Sequence, residues 1–302
     1  MKFTCEKSAL LKEIVIAQDI ISSRNVLSIL SNVLLIADDS TLTIRATDLN
    51  VSFVTKIPVE IVAPGTTTVF CEKFLGILRT LPEGEIEFEQ EESGPMYIRP
   101  VFKKIDFQLK TIASDKFPEF QKASDDQFFE FPQTDFIQMI SHTSFAVSDD
   151  ESRYFMNGVY FEKTDSQLNM IATDGRRLAF INDAPNTELK NFAGIIVPTK
   201  ILSLVQKLSS REGNLRIAVT EKHIFIEFDN QLVSSTLIEG QFPNYKRVIP
   251  DSQDYKLTVN KSELSDALKR VSLFAEQKSR RIYLKVQPGL LTLSSEESEI
   301  GV

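Results

Sequence analysis

Two aspartates that end the same tripeptide are the residues best placed for acid–base chemistry. Asp48 ends the sequence Ala-Thr-Asp at residues 46–48, and Asp174 ends the same sequence at residues 172–174. Paired carboxylates can act as a general acid and a general base. However, each aspartate follows a strand-like segment where the chain turns, and turn aspartates commonly accept hydrogen bonds from backbone amides. We therefore favour a structural role for both.

The residues after Asp174 introduce a second kind of chemistry. Gly175, Arg176 and Arg177 follow Asp174, whereas Leu-Asn-Val follows Asp48 at residues 49–51. One interpretation is an enzyme that acts on an anionic small molecule at this corner, with Asp174 as the base and the arginines binding the anion. The other interpretation is a solvated turn with a surface ion pair, which contributes little to stability.

Other groups that could support catalysis are scarce. The only histidines, His142 and His223, belong to different predicted elements, and the only cysteines, Cys5 and Cys71, lie in strand-like apolar segments. A zinc cluster cannot be assembled from these residues. The glycines form no phosphate-binding loop. We predict two free buried thiols, no metal, no cofactor and no catalytic activity.

The composition is that of a globular protein with an acidic surface. The 302 residues include 42% apolar residues, and the formal net charge is −8. There is no apolar run long enough for a membrane helix and no secretory signal pattern, so we predict a cytoplasmic protein that does not bind membranes. The acidic balance argues against a uniformly basic coat for nucleic acid, but it leaves room for a local basic surface.

An internal repeat organises the chain. The tripeptide at residues 46–48 recurs 126 residues later, and the apolar pattern that starts at Phe3 recurs at the same offset from Phe129. A third copy begins at Leu257, 128 residues after the second. Several matches in the same order at nearly constant spacing indicate a tandem structural module.

Each complete copy predicts a strand, a helix, a hairpin, a second helix and closing strands, whereas the third copy lacks the second helix and the closing strands. In the first helix, Leu10, Ile14, Ala17 and Ile21 lie at helical spacing. The remaining elements are predicted at residues 33–36, 41–45, 72–81 and 105–111 of the first copy, and at 159–161, 168–172, 199–208 and 223–228 of the second. Lys73 and Lys200 occupy equivalent positions just inside the second helix of each copy. The third copy predicts a strand at 257–259 and a helix capped by Ser262.

This pattern predicts an α+β fold of repeated modules, each with two helices packed on antiparallel sheet. Two modules are complete and one is partial. We place the domains at residues 1–122, 128–250 and 254–302, with polar segments between them. Because the third copy has only about half of a module, it would leave apolar surface and strand edges uncovered. We expect the natural protein to be longer by about 70 residues.

A series of short motifs, in order along the whole chain, resembles one known family. The motifs are MKFT at the start, SNVLL at 31–35, ATDL at 46–49, LPEG at 81–84, FP at 117–118, RYFMNG at 153–158, ATDGRRLA at 172–179, VP at 197–198 and EGQFPNY at 239–245. Together they resemble the β subunit of bacterial DNA polymerase III, the sliding clamp.

The resemblance implies the DNA clamp fold and a processivity factor without an active site. Two subunits of three domains each would join head to tail in a ring, with sheets outside and helices lining a hole that holds duplex DNA. Lysines and arginines facing the hole would contact phosphates without reading bases. The implied partners are duplex DNA, the polymerase catalytic subunit, clamp-loader subunits and a second copy of the chain.

The resemblance also implies three sets of site residues. The DNA contacts would be Arg24, Arg153, Tyr154 and Lys200. The pocket for a partner's short apolar peptide would be Met156, Thr173, Gly175, Arg176, Arg177, Leu178, Pro243, Arg247 and Val248. The dimer interface would join Phe107 and Leu109 to Leu273 and Phe274, and Lys73 to Glu296 and Glu297.

Overall fold

A computed structural model describes residues 1–21, 28–92, 94–185, 187–276 and 279–295. The chain divides into two compact units, Met1–Pro243 and Asn244–Val302. The first unit contains the two complete copies of the repeat, which we call module 1 and module 2. The second unit contains the partial third copy.

The described residues of module 1 form two α-helices and ten strands. In chain order they are β1 (Lys2–Glu6), α1 (Lys7–Ile20), β2 (Asn32–Asp38), β3 (Thr41–Thr47), β4 (Val51–Pro58), β5 (Glu60–Ala63), β6 (Gly65–Phe70), α2 (Cys71–Thr80), β7 (Glu85–Gln90), β8 (Met96–Pro100), β9 (Phe107–Leu109) and β10 (Thr111–Ile112). The first helix and the first hairpin lie where the apolar spacing predicts them.

Module 2 repeats the same order of main elements. They are β11 (Phe129–Pro132), α3 (Gln133–Thr143), β12 (Gly158–Thr164), β13 (Gln167–Thr173), β14 (Leu178–Asp183), β15 (Ile195–Pro198), α4 (Thr199–Leu208), β16 (Asn214–Val219), β17 (His223–Phe228) and β18 (Gln231–Thr236). The predicted second helix at 199–208 has the bounds observed for α4.

The two modules share one sheet. Its nine strands run β10-β6-β2-β3-β4-β18-β17-β16-β11, so the strands of module 1 continue directly into those of module 2. The junction is the antiparallel pair β4–β18, in register from Val51 opposite Ser235 to Thr55 opposite Gln231. A five-stranded sheet, β5-β1-β7-β8-β9, belongs to module 1, and a four-stranded sheet, β14-β13-β12-β15, belongs to module 2.

Helix α1 is buried on two faces because it serves both modules. Leu10, Ile14 and Ala17 lie in the apolar core of module 1. Ile16 and Ile20, on another face, lie in the core of module 2. Each fully buried aliphatic side chain of this kind contributes about 1.5–3 kcal/mol relative to exposure. The junction between the modules is therefore part of a hydrophobic core as well as a strand pair.

The closing segment of module 1 differs from the prediction. A single strand was predicted over 105–111, whereas the chain forms β9 and β10, separated by Lys110. β9 pairs with β8 in the five-stranded sheet, and β10 pairs with β6 in the nine-stranded sheet. The chain crosses from one sheet to the other at this point, and an alternating apolar pattern cannot reveal such a change of partner.

The second unit consists of α5 (Lys261–Ser272) and the hairpin β19 (Ile282–Gln287) with β20 (Leu290–Ser295). Two predictions are corrected here. Residues 257–259 form no strand, since an isolated alternating segment needs a neighbouring strand to satisfy its backbone. The N-cap of α5 is Asn260 and not Ser262, because the Asn260 side chain accepts hydrogen bonds from the Ser262 and Glu263 amides. None of the helices in the described ranges has the length and apolar character needed to cross a membrane.

Candidate functional site

The two Thr-Asp turns share one hydrogen-bond pattern. In each, the aspartate Oδ1 accepts from the backbone amides two and three residues later. These amides belong to Asn50 (2.9 Å) and Val51 (2.7 Å) for Asp48, and to Arg176 (2.9 Å) and Arg177 (3.0 Å) for Asp174. The residue after the aspartate has a positive φ in both turns, +77° at Leu49 and +86° at Gly175. The predicted hydrogen bonds from turn amides to the two aspartates are confirmed.

The electrostatics of Asp174 also fit a structural residue. The amides of Arg176 and Arg177, followed by the Arg177 side chain, hold the pKa of Asp174 below its ordinary value. Arg177 Nε donates to Asp174 Oδ2 at 3.0 Å, and its guanidinium lies over the Phe145 ring. The carboxylate is ionised at neutral pH, and both of its oxygens already accept hydrogen bonds.

The histidines and cysteines are separated. His142 is exposed on α3, and His223 lies on β17, where burial lowers its pKa. Cys5 and Cys71 are free and buried in module 1, and burial raises the pKa of each thiol to about 12. The predicted free thiols are confirmed. The described ranges contain no group of three or more His, Cys, Asp or Glu residues arranged to hold a metal ion.

Residues 148–157, here called the Arg153 loop, form a closed turn next to the Asp174 turn. The Asp150 carboxylate accepts from the Ser152 amide (3.0 Å) and the Ser152 hydroxyl (2.6 Å), so it caps the 3-10 helix Glu151–Met156. The Ser148 amide donates to the Met156 carbonyl at 2.9 Å, which closes the loop. The sequence Asp-x-Ser is a signal for this turn that the prediction missed.

Arg153 connects the loop to the Asp174 turn. Its Nε donates to Asp150 Oδ2 at 2.9 Å, and its Nη1 donates to the Asp174 carbonyl at 3.1 Å. A Cβ atom on Gly175 would lie only 3.0 Å from Arg153 Nη1, so glycine permits this close approach. One predicted DNA contact is thus in direct contact with the predicted peptide pocket.

The structure brings together most of the pocket residues that lie in module 2. The Thr173 hydroxyl donates to the Arg177 carbonyl at 2.7 Å, and Thr173 pairs with Leu178 across β13–β14. The side chain of Met156 is buried, whereas that of Arg176 is exposed. Pro243 ends the first unit, and Arg247 and Val248 lie on the 3-10 turn Tyr245–Val248 of the second.

Lys200 is held at the junction of the modules. Its Nζ lies 2.6 Å from Asp48 Oδ2 and 3.2 Å from the Ile20 carbonyl. A second lysine of α4, Lys207, forms an ion pair with Asp19 of α1. Tyr154 is about half exposed. The fourth predicted DNA contact, Arg24, lies outside the described residues.

The predicted interface residues differ in exposure. Lys73 is exposed on α2, and Leu273 and Phe274 are exposed in the second unit. Leu109 is buried in the core of module 1, and Phe107 packs partly against that core. Between these two residues on β9, Gln108 is exposed. Glu296 and Glu297 lie outside the described residues.

A module with two helices against antiparallel sheet, repeated along the chain and fused edge to edge through one sheet, defines a scaffold of the DNA clamp class. In the Asp174 turn, the Asp174 carboxylate accepts from two backbone amides and from Arg177, and its carbonyl accepts from Arg153. Comparisons with known proteins make the assignment specific.

Three family models match in succession: the N-terminal domain of the DNA polymerase III beta subunit over residues 1–121, its central domain over 130–244, and its C-terminal domain over 246–302. The beta sliding clamp of Treponema pallidum is 48% identical over 305 residues, a match that covers all of this chain and 82% of the relative. The beta sliding clamp of Escherichia coli K12 is 32% identical, and the match covers 81% of that relative's length.

Solved structures agree with the sequence comparisons. A Bacillus subtilis DNA polymerase sliding clamp superposes with a TM-score of 0.93 at 27% identity, covering all of this chain and 82% of that one. A Pseudomonas aeruginosa DnaN clamp bound to griselimycin superposes with a TM-score of 0.90 at 30% identity. That match covers 98% of this chain and 80% of the Pseudomonas chain. The chain belongs to the DNA polymerase III beta subunit family, the bacterial beta sliding clamps. The predicted fold class and the predicted role of a replication processivity factor are confirmed.

Proposed function

We propose that this chain forms half of a closed ring that encircles duplex DNA and tethers the replicative polymerase and other DNA-processing proteins to it. The observation that carries this proposal is the junction between modules 1 and 2. There, two modules are fused edge to edge by a strand pair, a shared core and an ion pair. The same set of contacts, made between chains, would close a ring.

The internal repeat identifies which surfaces would form the other junctions. β9 holds the place in module 1 that β18 holds in module 2, and β14 holds the place in module 2 that β4 holds in module 1. Both β9 and β14 lie at the edges of their sheets in the described residues. Sheet edges with unpaired backbone groups are templates for a further strand. β9 then pairs with the third domain of a second copy, in a head-to-tail homodimer.

Lys73 fits this scheme because it is the counterpart of Lys200. Each lysine directly precedes a buried pair on its helix, Phe74 with Leu75 in α2 and Ile201 with Leu202 in α4. Lys200 crosses the junction to Asp48. Lys73 would cross to an acidic residue of the partner's third domain, for which the resemblance implies Glu296 or Glu297. Phe107, Leu109, Leu273 and Phe274 supply the apolar part of this interface.

The proposed DNA contacts suit a protein that must slide. Arg24, Arg153, Tyr154 and Lys200 would face the phosphates. Arg153 and Lys200 are already paired with Asp150 and Asp48, so a phosphate competes with a carboxylate for each cation. Such contacts are weak, sequence-independent and strongly dependent on salt. Weak contacts hold the duplex in place without fixing the ring at one site.

The proposed partner pocket combines apolar walls with hydrogen-bond donors. Met156, Leu178, Pro243 and Val248 give the apolar surface, and Thr173, Gly175, Arg176, Arg177 and Arg247 give the polar rim. A flexible methionine adapts to varied apolar side chains. The pocket would take short apolar segments of the polymerase catalytic subunit and of clamp-loader subunits. Two of the solved relatives are bound to griselimycin, and we propose that this ligand occupies the same pocket in this chain, where it would serve as a probe.

We propose no intrinsic catalysis and a cytoplasmic protein that acts away from membranes. The alternative, an enzyme using Asp174 as a base, has little support because Asp174 Oδ1 and Oδ2 already accept three hydrogen bonds. An Asp174→Asn variant that kept full retention on DNA and full partner binding would agree with a scaffold.

The test of the ring is topological. The protein expressed from its complete coding sequence is loaded onto nicked circular DNA by its clamp loader, separated by gel filtration, and the circle is then cut once. We expect the protein to stay on the circle and to leave after linearisation. Equal retention on circular and linear DNA would contradict a ring. Lys73→Glu should reduce retention on the circle, and Lys116→Glu, at an exposed lysine that belongs to none of the proposed site sets, is the matched control.

A further inference from the structure

The Arg153 loop carries residues of both proposed sites within four positions. Arg153 and Tyr154 are proposed to face DNA, and Met156 is proposed to line the partner pocket. The loop is closed by the Ser148–Met156 hydrogen bond and capped by Asp150. Because these bonds make the loop a compact unit, a movement at Arg153 is transmitted to its neighbours along the loop.

Arg153 is also bonded directly to the backbone of the pocket. Its Nη1 donates to the Asp174 carbonyl, which belongs to the peptide group that leads into Gly175. Gly175 has no Cβ and adopts a φ of +86°. Glycine has more backbone freedom than any other residue, so bonds from neighbouring groups fix this peptide group. The Gly175 amide donates to the Thr173 hydroxyl at 3.0 Å, and Arg153 holds the carbonyl. The amides of Arg176 and Arg177, which follow Gly175, bond to Asp174 Oδ1.

Two groups on the protein side hold the Arg153 guanidinium: the Asp150 carboxylate accepts from its Nε, and the Asp174 carbonyl accepts from its Nη1. Hydrogen bonds from Ser152 hold the pKa of Asp150 below its ordinary value, and those from the Arg176 and Arg177 amides do the same for Asp174. Both carboxylates are therefore ionised and repel a phosphate, so a phosphate is reached best when the guanidinium turns away from them.

We propose that Arg153 couples the two sites: when it turns to a DNA phosphate it releases the Asp174 carbonyl, so that bound DNA loosens the Asp174 turn and weakens binding in the partner pocket. This inference rests on the proposed DNA and partner sites. Arg153 is a positioning residue for the pocket, since it acts through the turn. By thermodynamic linkage, a ligand in the pocket weakens DNA binding by the same factor.

Arginine is needed for this role because of its shape. The planar guanidinium donates in two directions at once, here to the Asp150 carboxylate and the Asp174 carbonyl. Arg153→Lys keeps the positive charge that attracts a phosphate, but an ammonium group lacks the planar, two-directional donors that bind the Asp150 carboxylate and the Asp174 carbonyl together. The variant thus separates the attraction for DNA from the support of the turn.

The first test measures backbone hydrogen exchange in the 302-residue chain at low salt, with and without a short DNA duplex. We expect saturating duplex to speed exchange of the Arg176 and Arg177 amides at least about threefold. In Arg153→Lys these amides should exchange fast already and change no further on adding DNA. The Ser262 and Glu263 amides, bonded to the Asn260 side chain, are the internal control and should not respond.

The second test is a linkage cycle with griselimycin as the pocket probe and the same duplex. Its affinity should fall about fivefold when the protein is saturated with DNA. The DNA affinity should fall by the same factor with griselimycin bound. Arg153→Lys should bring both factors close to one. Lys116→Ala, which removes an exposed positive charge but leaves the Arg153 loop intact, should leave both factors unchanged.

The outcomes separate the coupling from the proposed function. If both ligands bind, but the affinities are independent and the turn amides do not respond to DNA, the coupling is wrong and the two sites stand. If DNA strengthens griselimycin binding, the direction is wrong and Arg153 does not leave the turn. If the duplex does not bind even at low salt, or griselimycin does not bind at all, the proposed site itself fails and the coupling fails with it.

Discussion

The Asp48 turn and the Asp174 turn have the same backbone geometry but hold different cations. Asp48 Oδ2 accepts Lys200, which comes from the other module, whereas Asp174 Oδ2 accepts Arg177 from its own turn. The Asp174 carbonyl in addition accepts Arg153. One local structure thus joins two modules in the first copy and supports the proposed partner pocket in the second. The type of turn is set by local sequence, and its use is set by what the fold places beside it.

The largest expected difference in stability is between truncating a side chain on the paired strand β4 and truncating one on the edge strand β14. Phe53 on β4 is fully buried at the junction, whereas Phe180 on β14 is 43% exposed at the sheet edge. Phe53→Ala should lower the free energy of unfolding by about 3–5 kcal/mol because it leaves a cavity in the shared core. Phe180→Ala should cost less than about 1 kcal/mol. Urea denaturation followed by circular dichroism measures both, and equal losses would contradict the buried junction.

Removing each turn aspartate compares the two turns directly. Asp48→Ala removes acceptors for two amides and for Lys200, and it should cost about 2 kcal/mol. Asp174→Ala removes the acceptor for two amides and an ion pair with a more exposed arginine, and it should cost less than Asp48→Ala. Thermal unfolding of the two variants under the same conditions measures the order. A larger loss at Asp174 would show that the junction gains little from the Asp48 turn.

Glu13 tests whether the polar part of the junction depends on pH. It is buried on α1, burial raises the pKa of its carboxyl, and Gln231 Nε2 lies 3.4 Å from its Oε2. A raised native pKa means that the folded state binds this proton more tightly than the unfolded state. Stability from this group is therefore present at low pH and is lost as pH rises through the native pKa.

We therefore expect Glu13→Gln to raise the free energy of unfolding at pH 7.5 by about 1 kcal/mol, since it removes the buried charge. The difference should narrow as the pH falls below the ordinary glutamate range, about 4.3. Equilibrium unfolding at several pH values checks the sign. Glu212→Gln, at an exposed carboxylate of module 2, is the control. An advantage of the variant that grows at low pH would contradict this assignment.

The smallest effects should come from the ion pairs that cross the junction. A double-mutant cycle on Lys200 and Asp48 should give a coupling of about 0.5–1 kcal/mol, because the Asp48 side chain is only 11% exposed. The same cycle on Lys207 and Asp19 should give less than about 0.5 kcal/mol, as both groups are more exposed. High salt should reduce the second coupling more than the first.

The elements that follow a local pattern could be predicted from the sequence. The hairpins, the helix α4 and both Thr-Asp turns follow from turn residues and from apolar spacing that recurs after 126 residues. The family resemblance could likewise be recognised from motifs that lie within the described elements.

Features that depend on distant partners could not be predicted. The β4–β18 pair joins Val51 to Ser235, and no local signal specifies a pairing over that separation. The split of residues 105–111 into two strands, and the missing strand at 257–259, have the same cause, since a strand exists only where another strand accepts its hydrogen bonds. Lys200 was assigned a role from its position, but its contact with Asp48 depends on how two modules meet.

The continuous sheet also sets the mechanical behaviour of the first unit. Five residue pairs in register join β4 to β18, and the shared core lies beneath them. A bend between the modules would have to stretch this ladder and open apolar packing together, so it meets high resistance. We therefore expect the two modules to move as one rigid body, so that flexing of the proposed ring would fall on its other junctions.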